Sequence, residues 1–81
     1  MIIPGPVPVY QQLANILRER IEGGDLPAET PIPSKRALRA EHGVSGESVD
    51  KAIAVLKAEG KVRTVVGLGI FVQDRSNWTA G

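Results

Sequence analysis

The run Ser34-Lys35-Arg36-Ala37-Leu38-Arg39-Ala40-Glu41-His42-Gly43-Val44-Ser45-Gly46-Glu47-Ser48-Val49-Asp50-Lys51-Ala52-Ile53 decides how the chain is read. Ser34 has the chemistry of an N-cap, because its hydroxyl can accept from the orphan amides of a helix that buries Ala37 and Leu38. That helix is short. It stops near His42-Gly43, where glycine takes the positive φ that other residues avoid, and Ser45 offers a fresh N-cap two residues later. The next helix carries Val49, Ala52, Ile53 and Leu56 at i, i+3, i+4 and i+7, a stripe that must be buried, and ends at Gly60. The pattern is helix, tight turn, helix.

Upstream, Tyr10, Leu13, Ala14, Leu17 and Ile21 recur at helical spacing, which predicts a first amphipathic helix from about Pro8 to Glu22, ended by Gly23-Gly24. Pro27, Pro31 and Pro33 make Asp25 to Pro33 a constrained loop with room for a short extended piece at Thr30 to Ile32. Downstream of Gly60 the period becomes that of a β-hairpin. Lys61 to Val66 is one strand, Gly67-Leu68-Gly69 the turn, and Ile70 to Gln73 the other strand. Residues 1–7, with Pro4, Gly5 and Pro6, form a flexible leader, and residues 74–81 a polar tail containing Trp78. The domain is residues 8–73, mainly α with a small β-hairpin: three helices plus a two-stranded wing, a winged helix-turn-helix.

Eighty-one residues leave room for one small domain. Hydrophobic residues are 42% and charged residues 23%, ordinary for a folded globular chain. With no cysteine, neither a disulfide nor a thiolate metal site braces the core. The apolar stretches fall far short of the ~20 residues of a membrane span, and the start lacks an export signal, so the expected location is cytoplasmic. The net charge is only +1. Its distribution is uneven: Ser34 to Arg63 holds Lys35, Arg36, Arg39, Lys51, Lys57, Lys61 and Arg63 against Glu41, Glu47, Asp50 and Glu59, a balance of +3.

In a winged helix-turn-helix the second helix of the pair presents its N-terminal residues to the major groove of DNA. Here those are Ser45, Gly46, Glu47 and Ser48, with Asp50 and Lys51 following. Lys35, Arg36 and Arg39, with the amides beside Ser34, could grip phosphates, and Gly67-Leu68-Gly69 would bring backbone close to a phosphate or the minor groove. Plainer readings stand beside these. Lys35, Arg36 and Arg39 could be a solvated face, and Glu47 could serve the helix dipole rather than read cytosine. Tyr10 and Phe71 are expected in the core, while Trp78 folds back or meets a partner. His42 has no partner ligands, so no metal and no cofactor is expected, and no catalytic constellation is found.

From about Pro8 to Val72 the chain resembles the N-terminal DNA-binding domain of the GntR family of bacterial transcriptional regulators. The family's Pro-x-Tyr-x-Gln-Leu opening stands as Pro8-Val9-Tyr10-Gln11-Gln12-Leu13, and its Gly-Asp-Leu loop as Gly24-Asp25-Leu26. Its Leu-Pro-Ser-Glu-Arg-x-Leu motif is matched by Ile32-Pro33-Ser34-Lys35-Arg36-Ala37-Leu38, and its Gly-Val-Ser start by Gly43-Val44-Ser45. Leu56-Lys57-Ala58-Glu59-Gly60 and Gly67-Leu68-Gly69-Ile70-Phe71-Val72 are similar to its helix end and wing. The departures are Gly46 and Asp50, where the family commonly has arginine, and Leu68, where the wing is often Gly-Arg-Gly.

The resemblance implies a regulator that binds double-stranded DNA sequence-specifically through Arg36, Ser45, Ser48, Gly67 and Gly69. It also implies paired half-sites bound by dimers. The ligand-sensing, dimerising domain that ordinarily follows the wing has no counterpart in residues 1–81, which fits either a minimal protein or an isolated domain; a homodimer, if one forms, is expected to use this chain's own surface, and no small-molecule effector can be inferred. Gly46, Asp50 and Leu68 motivate an alternative, a winged-helix protein-interaction module with weakened or lost DNA binding, using Leu68, Val65 and Trp78 as contacts. In the regulator reading, Asp50→Arg is expected to strengthen DNA binding.

Overall fold

Helix α1, Val9–Glu22, forms where the sequence is amphipathic, and it buries Leu13, Ala14, Leu17 and Ile21. The computed structural model describes residues 2–78. Pro8 is the N-cap rather than the first helical residue: its ψ of 148° leaves the ring outside the first turn, while its carbonyl accepts from the amides of Gln11 and Gln12 at 3.1 Å each. The Gln12 side chain is the leader's anchor. Its Oε1 accepts from the Ile3 amide at 2.7 Å, and its Nε2 donates to the carbonyls of Ile3 and Val7 at 2.6 and 2.9 Å.

Helix α2 is Lys35–His42 and helix α3 is Gly46–Ala58. Both caps expected from the sequence are made, with Ser34 Oγ accepting from the Ala37 amide at 3.1 Å and Ser45 Oγ from the Ser48 amide at 3.2 Å. Gly43 turns the chain between them at φ 64° and ψ 38°, and Val44 closes the turn from inside. Helix α3 buries Val49, Ala52 and Leu56 against α1, with Ile53 and Val55 partly covered. Four leucines, Leu13, Leu17, Leu38 and Leu56, are completely inaccessible. Each contributes about 1.5–3 kcal/mol by leaving water.

Strand β1, Val62–Val65, pairs antiparallel with β2, Gly69–Val72, in the register Val62↔Val72 to Val65↔Gly69. The turn is thus Val66-Gly67-Leu68, one residue earlier than the sequence suggests, closed by the Leu68 amide on the Val65 carbonyl at 2.9 Å. The extended piece at Thr30 to Ile32 is present and lies along the free edge of β2. The Glu29 and Ile32 amides donate to the Val72 and Ile70 carbonyls at 2.8 and 2.9 Å, and the Val72 amide donates to Thr30 at 2.9 Å. The loop before α2 is in this way sewn to the wing.

Three core expectations are corrected. Ala37 is exposed, because an eight-residue helix touching the body along one edge buries only Leu38. Phe71 is half-buried, since strand alternation turns Val72 and Val62 inward and puts Phe71 on the other face, opposite Arg63. Tyr10 is half-buried beneath the Lys51 ammonium, 5.9 Å from its ring centre. Trp78, by contrast, folds back, as one of the two options for it allowed. A 3₁₀ turn at Arg75–Asn77 carries it onto the core, its Nε1 donates to the Gln73 carbonyl at 3.1 Å, and Arg75 and Lys61 sit over its ring at 4.6 and 5.0 Å.

Charged groups lock the end of α3. Arg18 grips Glu59 with two hydrogen bonds, Nε at 2.8 Å and Nη2 at 2.6 Å, while Glu59 also faces the buried Lys61 ammonium at 3.3 Å. The Arg18 hydrogen bonds hold the Glu59 carboxyl below its usual range, against the opposing pull of partial burial and with help from Lys61. Because the folded pKa lies below the unfolded one, this stabilisation is complete above the unfolded value and is lost as pH falls through the folded one. Glu59→Gln is accordingly expected to cost about 1–2 kcal/mol in urea denaturation at pH 7. The gap between variant and parent should close as the pH drops below about 4.

The end of α3 also depends on a glycine. Gly60 sits at φ 73°, its amide and that of Lys61 bonding back to Lys57 and Leu56 at 3.0 Å each, and a Cβ there would overlap the Asn77 carbonyl. Gly60→Ala should therefore destabilise by more than the ~1 kcal/mol of a left-handed alanine and release Trp78, read as a red shift and loss of intensity in its fluorescence.

Candidate nucleic-acid interface

The side of α3 that α1 does not cover carries Glu47, Asp50, Lys51, Ala54 and Lys57, all exposed. This follows from the 3.6-residue period: burying Val49, Ala52 and Leu56 turns those positions outward. Helix α2 adds Lys35, Arg36 and Arg39, also exposed, alongside the start of α3. Ser34 and Ser45 are spent first as caps, and Ser45 Oγ donates to Ser48 Oγ at 3.1 Å, so these hydroxyls order the two helix ends. Beyond those caps, the first amides of α2 and α3 point out of the helix ends with their partial positive charge.

Most cations of the middle segment are already matched. Lys35 pairs with Asp50 at 3.0 Å, Lys51 with Glu47 at 3.3 Å, and Arg63 with Glu29 at 2.9 Å. Lys61 is buried between Glu59 and Glu22, at 3.3 and 3.6 Å. Of this segment, Arg36, Arg39 and Lys57 make no ion pair and no side-chain hydrogen bond among the described residues, so its free positive charge lies on α2 and the last turn of α3; outside it, Arg20 on α1 is also unpaired among them. Sequence reasoning left Lys57 out of the site, although it follows Asp50 and Ala54 along the same outward line.

The wing tip stands across an open groove from α3, whose lining includes Lys35, Asp50, Ile53, Ala54, Lys57 and Leu68. Among the described residues Leu68 and Val66 are the most exposed large apolar ones, at 71% and 94%. Gly67 takes φ 82° and Gly69 φ 119°, with Gly69 inside β2 rather than in the turn. Val65 and Trp78, expected as contacts in the alternative reading, are half-buried, and Val66 occupies the exposed place instead. His42 has its Nε2 3.7 Å from Glu41, and no group of three metal-ligating residues exists among the described residues. No helix of the described residues is long and apolar enough to cross a membrane.

Comparison with known proteins agrees with this geometry. The sequence pattern of the bacterial regulatory proteins of the gntR family matches residues 9–72. The HTH-type transcriptional repressor NagR of Bacillus subtilis (strain 168) is 34% identical over 67 residues, which are 83% of this chain and 28% of NagR. The Exu regulon transcriptional regulator of Escherichia coli (strain K12) is 42% identical over 72 residues, 89% of this chain and 28% of its own length. The chain thus spans little more than a quarter of these relatives. Among solved structures, AraR(DBD) in complex with operator ORX1 superposes with a TM-score of 0.81 at 31% identity, covering 86% of this chain and 90% of that one. A helix-turn-helix joined to a wing, with the family pattern running from Val9 to Val72, leaves one assignment: the chain belongs to the gntR family of bacterial regulatory proteins.

Proposed function

We propose that this chain binds double-stranded DNA sequence-specifically as the reading head of a cytoplasmic transcriptional regulator, without catalytic activity. Helix α3 enters the major groove and the β1–β2 hairpin lies along the neighbouring backbone or minor groove. The observation that carries the reading is the shared outward face of α2 and α3, which carries both serine-capped helix N-termini together with the unpaired Arg36, Arg39 and, at its far end, Lys57. Family membership and the likeness to AraR(DBD), whose structure contains an operator, support it.

In this reading Arg36 and Arg39 hold phosphates, with the first amides of α2 that the Ser34 cap leaves free beside them, and Lys35 stands at the edge of α3. Ser45, Gly46, Glu47, Ser48 and Lys51 meet base edges or phosphates, and Gly67, Leu68 and Gly69 form the wing contact. Two such chains on paired half-sites would give a dimeric regulator. A second reading, a protein-interaction module, draws on the exposed apolar pair Val66 and Leu68 at the wing tip.

Titration onto duplex DNA from around the chain's own gene, beside a scrambled duplex at two salt concentrations, separates the two. Tighter binding to the native duplex is expected, with affinity falling steeply as salt rises; absence of binding even at low salt would favour the interaction module. Arg36→Ala should weaken binding to all duplexes alike and reduce the slope of log affinity on log salt by about 0.9. An unchanged slope would remove Arg36 from the interface.

A further inference from the structure

Three residues where α2 meets α3 work as one device. Lys35 leaves the first turn of α2, crosses over Gly46 and places its Nζ 3.0 Å from Asp50 Oδ2. A Cβ at position 46 would lie 2.8 Å from Lys35 Cε, 3.4 Å from its Nζ and 3.8 Å from Arg39 Cδ. Any side chain at 46 would compete with Lys35 for the same space, and glycine concedes that space to the lysine. Gly46 and Asp50, two of the positions where this chain departs from the family pattern, therefore meet on Lys35, which stands where the family motif has glutamate.

Stability gives little reason for the arrangement, because the lysine and aspartate side chains remain 50% and 62% exposed, and pairs so solvated contribute next to nothing to folding. Recognition gives a better one. The ammonium has two further protons and the carboxylate has free lone pairs, so the pair presents a donor and an acceptor side by side on the outward face of α3. The major-groove edge of a G·C pair presents the complement, with guanine O6 and N7 accepting and cytosine N4 donating. Lysine is a standard donor to guanine O6 and N7, and aspartate accepts from cytosine N4. An A·T pair also offers an acceptor and a donor, adenine N7 and N6, but only guanine sets two adjacent acceptors, N7 and O6, before one ammonium, with the donor on the partner base.

Resting on the DNA-binding reading above, we infer that Lys35 and Asp50 together determine specificity by reading one G·C base pair in the half-site, with Gly46 keeping the path of Lys35 clear. Asp50 is then a paired acceptor and not an anion facing phosphates, so Asp50→Arg would lose a base contact.

The test is enrichment of bound duplexes from a randomised library by the parent chain, Asp50→Asn, Gly46→Ala and the reversed double variant Lys35→Glu with Asp50→Arg, each checked by thermal melting. All four are expected to fold, because Lys35 and Asp50 are exposed and a methyl at 46 displaces only the flexible end of the Lys35 side chain. The parent should select a G·C pair at one position of each half-site. Asp50→Asn and Gly46→Ala should relax that position alone, by roughly tenfold, and the reversed variant should prefer a different pair there. Selection of A·T at the position that responds would overturn the inference. So would a parental site preference kept in all three variants with affinity lowered uniformly. Failure of the parent to enrich any duplex would remove the DNA-binding reading itself, and the inference with it.

Discussion

Everything the outward face can do depends on how α3 is held from behind. Val49, Ala52 and Leu56 are packed without any accessible surface against a helix that presents Leu13 and Leu17 in the same condition. A helix fixed along that stripe has no freedom to rotate, since a turn of one residue would drag an aspartate or a lysine into the core. Arg18 and Glu59 fix the far end of the same helix, and Gly60 lets the chain leave it directly into the wing. The positions of Glu47, Asp50, Lys51, Ala54 and Lys57 are thus consequences of apolar packing on the opposite side.

The electrostatics follow from the same frame. A chain with a net charge of +1 has little general attraction for a polyanion, so what matters is which cations are left unmatched. Lys61 and Arg63 are used inside or beside the fold, and Lys51 answers Glu47; among the described residues Arg36, Arg39 and Lys57 on α2 and α3, and Arg20 on α1, are left without an ion pair. Free cations at the rim and matched donor and acceptor groups at the centre are the arrangement expected where phosphates position and base edges specify.

Much of the architecture was legible in the residues. The helical stripes, the serine caps at 34 and 45 and the glycine turn at 43 are local signals, and each agrees with the others, which is why the order of three helices and a hairpin could be read directly. What was not legible depends on tertiary partners. No periodicity announces that Gln12 will clamp the leader, that Ala37 will face solvent on so short a helix, or that Phe71 will fall on the outer side of a twisted pair of strands. The hairpin turn was misplaced by one residue because Gly69 looks like a turn residue and pairs as a strand residue. At the site, no local signal announces that Asp50 pairs with Lys35, fifteen residues away.

Duplex DNA is proposed to meet the outward face that α2, α3 and the wing tip share. Amide chemical-shift mapping of the isotopically labelled chain during addition of a duplex from around its gene tests this directly. The shifts are expected to concentrate at the starts of α2 and α3, at Lys57 and at the Val66 to Gly69 wing tip, and to fade as salt is raised. Shifts confined to the outer side of α1, the leader or the Trp78 segment, or no shifts at low salt, would contradict it.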